Sequence, residues 1–315
     1  MAVGLLAVSE QIYAPRCGEF IIMGELALDG KVRPVNGCLP SILPPMTREE
    51  SIETSTIYSV SGNGTGEGLI KERPFRTPHH SASMVSLIGG GADAAPGEIS
   101  LAHNGVLYLD EIAQFQKATL DAMRTPLEDG KVTISRARYK VTYPSSVMLI
   151  ASMNPCPCGY WADGSSRCRC TPGQRAAYLS RLSGPFMDRL DLQIFCSPLK
   201  PGELTSDAPG EESAKIAARV LRARKLQQER FSGERIFCNA QMNAEMLKKF
   251  CATGTKEKQY LEGILERMKL SARAYSRILK LSRTIADLEG TPDISLKHIA
   301  EAVRFRSLDR NNLYE

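Results

Sequence analysis

The sequence predicts an α/β fold built on a parallel sheet and followed by a helical C-terminal unit. Three observations carry this. The apolar run Val106-Leu-Tyr-Leu109 ends in two adjacent carboxylates, Asp110 and Glu111. A second apolar run, Val147-Met-Leu-Ile-Ala151, leads to a polar strand end at Asn154. Short continuous apolar runs are what strands buried on both faces look like, and parallel sheets bury their central strands that way. Beyond residue 199 the spacing turns helical: Ile216, Val220 and Ala223 share a face, and Ala274, Ile278, Leu281, Ile285 and Leu288 form a cleaner stripe.

Composition narrows the class. A chain of 315 residues suggests about two domains. No apolar run approaches a membrane span, and the N-terminus lacks the basic-then-apolar pattern of a secretion signal, so a cytoplasmic protein without membrane contact is expected. Nine cysteines, an odd number with four clustered, argue against a secreted disulfide framework. A formal net charge of +5 permits nucleic-acid binding without requiring it.

Taken in order, Phe20 to Val35 reads as two strands joined at Asp29-Gly30, a hairpin signal. Thr47 with Glu50 reads as a capping box opening a short helix. Gly62-Asn-Gly-Thr-Gly-Glu-Gly68 is rich in glycine but has Glu67 where a phosphate loop needs lysine, so it reads as a flexible loop. His79 and His80 are adjacent and point to different sides of most backbones, which favours polar packing near a site over a metal pair. A helix is expected over Lys117–Leu127, then a turn at Asp129-Gly130. Two alternating strands follow, Lys131–Ser135 and Tyr139–Tyr143, around Arg136-Ala-Arg138. A hairpin tipped by Arg136 and Arg138 suits a phosphate backbone, or is a solvated basic turn.

Cys156, Cys158, Cys168 and Cys170 form two CxC pairs across a short polar loop. Four thiolates can close on one tetrahedral ion, and in a reducing compartment zinc is expected before disulfides; free thiols are the other reading. Lys200-Pro-Gly to Pro209-Gly reads as a linker. Ser271 and Gly290 bracket the main C-terminal helix, and Ser295 caps a last helix carrying Leu296, Ile299 and Val303.

Carboxylates at the carboxyl end of a buried parallel strand sit where open α/β sheets bind ligands. One can hold magnesium and the next can orient a water; the bland alternative is a pair of acids at a helix start. Their neighbours sharpen this. Asn154, the frame Ser183-Gly-Pro-Phe-Met-Asp-Arg-Leu-Asp191 around Arg189, Arg73-Pro-Phe-Arg-Thr-Pro-His-His80 and Pro96-Gly-Glu-Ile-Ser-Leu-Ala-His-Asn104 occur in one order. From about Gly24 to the C-terminus the chain resembles the magnesium-chelatase-like AAA+ ATPases, in particular their ComM/YifB competence-protein group.

The resemblance implies a Lon-protease-like domain fragment over residues 1–40, an AAA+ α/β core over 41–198 and a helical lid over 199–315. The stretch 73–104 would be a core helix interrupted by an insert. The resemblance implies an ATP-driven homo-oligomeric ring, usually a hexamer, acting on DNA as a helicase or branch-migration motor in competence and recombination. By position, Asp110 would coordinate the magnesium of Mg-ATP and Glu111 would polarise water. Asn154 would position that water or the γ-phosphate. Arg189 would be an arginine finger, and Arg273, in Ser-Ala-Arg-Ala, the second sensor.

One departure is decisive. Family members carry the first sheet strand, a GxxxxGK[ST] loop and its helix before the segment that starts at Ser41; here Leu39-Pro40 runs straight into it, and the motif occurs nowhere. The expected product is an incomplete, hydrolysis-deficient core. The absent strand is expected between the Asp110 strand and the Asn154 strand, so that its loss bares two edges. A non-catalytic remnant or regulatory subunit, and a magnesium-chelatase motor subunit, are the alternatives. The hairpin and the cysteine loop fit the competence group better than the chelatase.

Overall fold

In a computed structural model of the chain, Val106–Leu109 is the middle strand of a three-stranded parallel sheet. The structure describes residues 24–26, 32–34, 42–62, 68–135, 140–161, 166–194, 211–234, 236–268 and 270–306. No helix among them is long and apolar enough to cross a membrane.

The first strands, β1 (Gly24–Leu26) and β2 (Val32–Pro34), pair antiparallel with Glu25 opposite Arg33. The Asp29-Gly30 turn between them lies outside the described residues. Helix α1 (Arg48–Val60) opens on the expected capping box: Glu50 N donates to Thr47 Oγ1 at 3.2 Å, and Thr47 N donates to Glu50 Oε2 at 2.8 Å. At 13 residues it is longer than expected. Its buried face is Glu50, Ser51, Thr54 and Ile57, mostly polar, so apolar periodicity does not mark it. Arg73 answers the buried carboxylate, with its Nη2 2.9 Å from Glu50 Oε2.

After β3 (Phe75–Arg76) come α2 (Met84–Ile88), the ribbon β4 (Gly89–Gly90) with β5 (Ala95–Pro96), and α3 (Glu98–Leu101). Two short helices thus flank a small antiparallel insert, as the resemblance implies for this stretch. The ribbon closes because Gly89 and Gly97 cross without side chains; a Cβ on Gly89 would lie 2.6 Å from the Ala95 carbonyl oxygen.

Strand β6 (Val106–Leu109) follows, then α4 (Lys117–Ala122) and α5 (Arg124–Asp129). The single helix expected over Lys117–Leu127 is therefore broken at the buried Met123. Pro126 explains the break: it has no N–H to give, and its ring would strike the carbonyl four residues back. Gly130, at φ 65°, ends α5. The hairpin β7 (Lys131–Ser135) and β8 (Lys140–Pro144) pairs Ser135 with Lys140, so its second strand runs one residue later than expected. Its tip, with Arg136 and Arg138, lies outside the described residues.

Strand β9 (Met148–Ala151) completes the sheet in the order β3-β6-β9. This corrects the expected strand order. Val106 to Leu109 pair directly and in parallel with Met148 to Ala151, leaving no gap between them. Among the described residues the unpaired edges are the outer ones of β3 and β9 instead of two inner edges. Two short helices follow, α6 (Pro172–Leu179) and α7 (Gly184–Met187). Leu87, Ile99, Leu107, Leu109, Met123 and Phe186 form the centre of the core around the sheet.

The described residues beyond 210 carry the helices α8 (Ser213–Arg230), α9 (Ala244–Phe250), α10 (Thr255–Met268), α11 (Ala272–Glu289) and α12 (Leu296–Arg304). A separate core gathers Phe231, Leu261, Ile278, Ile285 and Ile299. Helix α11 is capped as expected: Ala274 N donates to Ser271 Oγ, and Gly290 takes a left-handed conformation. Its stripe is only partly as expected. Ala274, Ile278 and Ile285 are buried, Leu281 is half-buried, and Leu288 is 45 % exposed. The place expected for Leu288 in the packed face is taken by Arg283 and Asp287, buried as an ion pair at 3.0 Å. Arg306 Nη1 donates to the Leu190 carbonyl, tying the last turn to the segment after α7.

Candidate functional site

Asp110 sits directly beyond β6, at the carboxyl edge of the sheet. Its Oδ1 accepts from Ser152 Oγ, from the Glu111 N–H at 3.1 Å and from Tyr108 OH at 3.3 Å. The Ser152 hydrogen bond, chiefly, holds the Asp110 carboxyl below its ordinary range, with Tyr108, the Glu111 amide and the His80 charge adding to it. Backbone bonds continue the β6–β9 ladder through this point: Ser152 N donates to Leu109 O, and Ile112 N to Ser152 O. The serine that fixes the carboxylate is thus fixed by the sheet itself.

Glu111 follows in a left-handed conformation, φ 48° and ψ 51°. A non-glycine residue there is uncommon and is held only by its surroundings. Tyr178 of α6 comes close by. Burial raises its phenol pKa, the Glu111 charge raises it further, and the Asn154 backbone amide pulls it down. Asp110, Glu111 and Ser152 therefore meet at one sheet edge, and Asn154 follows Ser152 by two residues. The His79 and His80 rings lie tilted against each other with centroids 4.0 Å apart, not on different sides as expected, and the His80 charge bears on Asp110.

Arg189 and Arg273 lie in a second grouping. Both bind Glu128 of α5, Arg189 through Nη2 and Arg273 through Nη2 at 2.9 Å. Burial would raise the Glu128 carboxyl, but the Arg189 hydrogen bond and the charges of Arg189, Arg273 and Arg277 bring it down. Arg189 also donates to the carbonyls of Arg124 at 3.1 Å and Pro185 at 2.6 Å. Its side chain is only 8 % exposed. A finger reaching into a neighbour's site would have to leave these contacts. Among the described residues no direct hydrogen bond or ion pair links this grouping to Asp110, Glu111 or Asn154.

The four clustered cysteines meet. Their sulfurs all lie within 4.8 Å of one another, and all four are free thiols. The Sγ separations are 3.3 Å for Cys156–Cys158, 3.8 Å for Cys156–Cys168 and 3.7 Å for Cys158–Cys168. Disulfide sulfurs stand about 2 Å apart, whereas a tetrahedral zinc with Zn–S of about 2.3 Å spaces its ligands by about 3.8 Å. The Tyr160 backbone N–H, first among several hydrogen bonds, lowers the Cys158 pKa to about 6; sharing a hydrogen bond with Cys158 pushes Cys170 up to about 11.

Ser152, Tyr178 and Glu128 were not singled out in the sequence. Ser152 had a signal, being a polar residue at the same strand end as Asn154. Tyr178 and Glu128 had none, because their roles depend on where α6 and α5 pack.

The sequence is similar to known proteins along most of its length. The family described as magnesium chelatase, subunit ChlI, matches residues 21–204, and its C-terminal counterpart matches 210–306. The protein named YifB from Salmonella typhimurium is 45 % identical over 273 residues, which are 86 % of this chain and 53 % of that protein. YifB of Escherichia coli is 44 % identical over 270 residues, 85 % of this chain and 52 % of that protein. Competence protein ComM of Haemophilus influenzae is 46 % identical over 273 residues, again 86 % of this chain and 52 % of that protein. The chain spans about half the length of the curated relatives it matches.

Proposed function

From the premise that this chain belongs to the magnesium chelatase ChlI family, in the branch that holds YifB and ComM, we propose that it is a ring-forming AAA+ subunit acting with DNA that cannot hydrolyse ATP by itself. The observation that carries this is the contrast between two halves of one site. Asp110 and Glu111 stand at one sheet edge with Asn154 close along the chain, the positions where the family resemblance would put the groups that act on a terminal phosphate, while the sequence contains no GxxxxGK[ST] to hold the phosphates. Phosphoryl transfer is mostly positioning plus electrostatic stabilisation. Without the backbone cradle, its lysine and its hydroxyl, these groups have nothing to act upon.

Asp110 suits a hard cation, being an exposed carboxylate kept ionised by its donors, and it would hold magnesium there. The ion would neutralise phosphate charge. Glu111 would orient a water, and Asn154 would position it. Arg189 and Arg273 would serve a neighbouring subunit's nucleotide once released from Glu128. The ring is taken as a hexamer and its site of action as the cytoplasm, both by family. Competence and branch migration are the role proposed by likeness to ComM. A non-hydrolysing regulatory subunit is the reading that the absent loop favours within this scheme.

The test is steady-state hydrolysis by the purified chain with magnesium and DNA, beside a Glu111→Gln control. Equal, background turnover is expected. Turnover above the control would show that a phosphate site exists and would overturn the proposal.

The cysteine cluster is assigned to one zinc ion, supported by a four-sulfur donor set whose sulfurs all lie within 4.8 Å of one another, two of the separations being 3.7 and 3.8 Å. The ion would staple the loop between β9 and α6. Protein purified without added metal should carry close to one equivalent by elemental analysis, and Cys156→Ser with Cys170→Ser should lose it. A fully folded, metal-free wild type would refute the assignment.

A further inference from the structure

The cysteine loop carries a surface that its own folding does not call for. Tyr160 is 43 % exposed, and Trp161 beside it is half-buried. The Arg167 guanidinium lies 4.5 Å from the Tyr160 ring centre, and the Arg175 guanidinium 5.2 Å from that of Trp161. Arg169, between Cys168 and Cys170, is exposed. Residues 155–175 hold three arginines, Arg167, Arg169 and Arg175, and one carboxylate, Asp163. The thiol cluster anchors this arrangement from beneath, through the buried Cys156 and through Arg175, whose Nη1 donates to the Cys170 carbonyl at 2.9 Å.

We propose that this face of the loop is a binding surface for single-stranded DNA, with bases stacking on Tyr160 and Trp161 and phosphates paired to Arg167, Arg169 and Arg175. This rests on the reading of the chain as a DNA-associated protein and names the strand state and the residues that meet it. Sequence-tolerant binding of unpaired strands combines aromatic platforms with a basic track, because every base has a stacking face and every nucleotide a phosphate. An arginine packed over each ring holds it in place through cation–π attraction. A duplex keeps its bases stacked and offers no such face, so the surface discriminates against it.

Trp161 is the only tryptophan in the chain, so its emission reports this surface alone. Fluorescein-labelled oligo(dT) is titrated with the purified chain. Anisotropy gives affinity, and tryptophan emission gives contact. Quenching of Trp161 in step with anisotropy is expected, and weaker quenching with duplex of equal length. Tyr160→Ala should weaken binding about five- to a hundred-fold, the range for loss of one stacked base. Arg167→Glu with Arg169→Glu should weaken it and flatten its salt dependence, while the lysine pair at the same positions should stay close to wild type. Zinc content and melting temperature are measured on each variant, and a glutamate pair that loses either is replaced by the alanine pair. Wild type that binds oligo(dT) with silent Trp161 and unaffected variants would overturn the inference alone, leaving the arginines as counter-charge to the thiolates. Wild type that binds no DNA would overturn the inference and the DNA reading together.

Discussion

Asp287 shows what one buried charge requires of its neighbours. It is 2 % exposed and accepts from Arg283 Nε at 3.0 Å, Arg230 Nη1 at 2.8 Å and Asn239 Nδ2 at 2.8 Å. Burial alone would raise its pKa, but the Arg230 and Asn239 hydrogen bonds and the two arginine charges bring it down. The stability this confers is full above the unfolded carboxyl value of about 3.9 and is lost as pH falls through the lower folded value. Asp287→Asn leaves Arg283, 3 % exposed, without its counter-ion. A loss of about 3–5 kcal/mol of unfolding free energy is expected by urea denaturation near neutral pH. A loss under about 1 kcal/mol would mean that the arginines rehydrate without cost. His103 gives the opposite limb. Its Nδ1 accepts from Ser146 N at 3.0 Å while Nε2 faces Glu53 at 3.2 Å, an arrangement that suits the neutral ring. Burial lowers its pKa against the pull of Glu53. The unfolded chain therefore takes the proton more readily, and stability falls as pH drops below about 6.5. The urea midpoint should decline as pH falls below about 6.5, and His103→Gln should flatten that decline.

Between elements, Gly105 marks a tight approach, where β6 starts against the segment before β3. A Cβ there would overlap the Pro74 carbonyl oxygen, a backbone atom that cannot rotate away. Met148 N donates to the Gly105 carbonyl, so any shift is passed on to β9. Gly105→Ala should cost about 1–3 kcal/mol and lower the melting temperature, whereas Gly263→Ala, on an open helix face, should be neutral or stabilising. Legibility in the sequence follows the same division. The Thr47–Glu50 box, the Ser271 and Gly290 caps and the β6 strand were readable because each depends on residues within a few positions. The break at Met123 was also written locally, in Pro126. Leu288 misled because the helix buries Arg283 and Asp287, and counting apolar residues cannot see a buried ion pair. The meeting of Arg189 and Arg273 at Glu128 joins three separated segments, so no local pattern encodes it. The candidate site was thus legible as separate residues but not as two groupings.

At the scale of the molecule, the direct β6–β9 pairing decides where the sheet is open. With β3 on one side of β6 and β9 on the other, the outer edge of β9 has no partner strand among the described residues. The edge is apolar: Met148 is 47 % exposed, and Leu149, Ile150 and Ala151 are half-buried. Met148–Ala151 contains no charge and no proline, the devices by which exposed edges avoid pairing with other chains. Such an edge recruits a strand from a second molecule, and burying it offsets part of the loss of ordering entropy. The purified chain should therefore self-associate, its mean mass by light scattering rising with concentration. Met148→Lys places a charge on that edge and should lower the mass at every concentration without lowering the melting temperature. Thr133→Lys, an equal charge on an exposed position of the already paired β7, should leave association unchanged. A chain that is monomeric at all concentrations, or a Thr133 variant as effective as the Met148 variant, would show that the β9 edge is not the sticky surface.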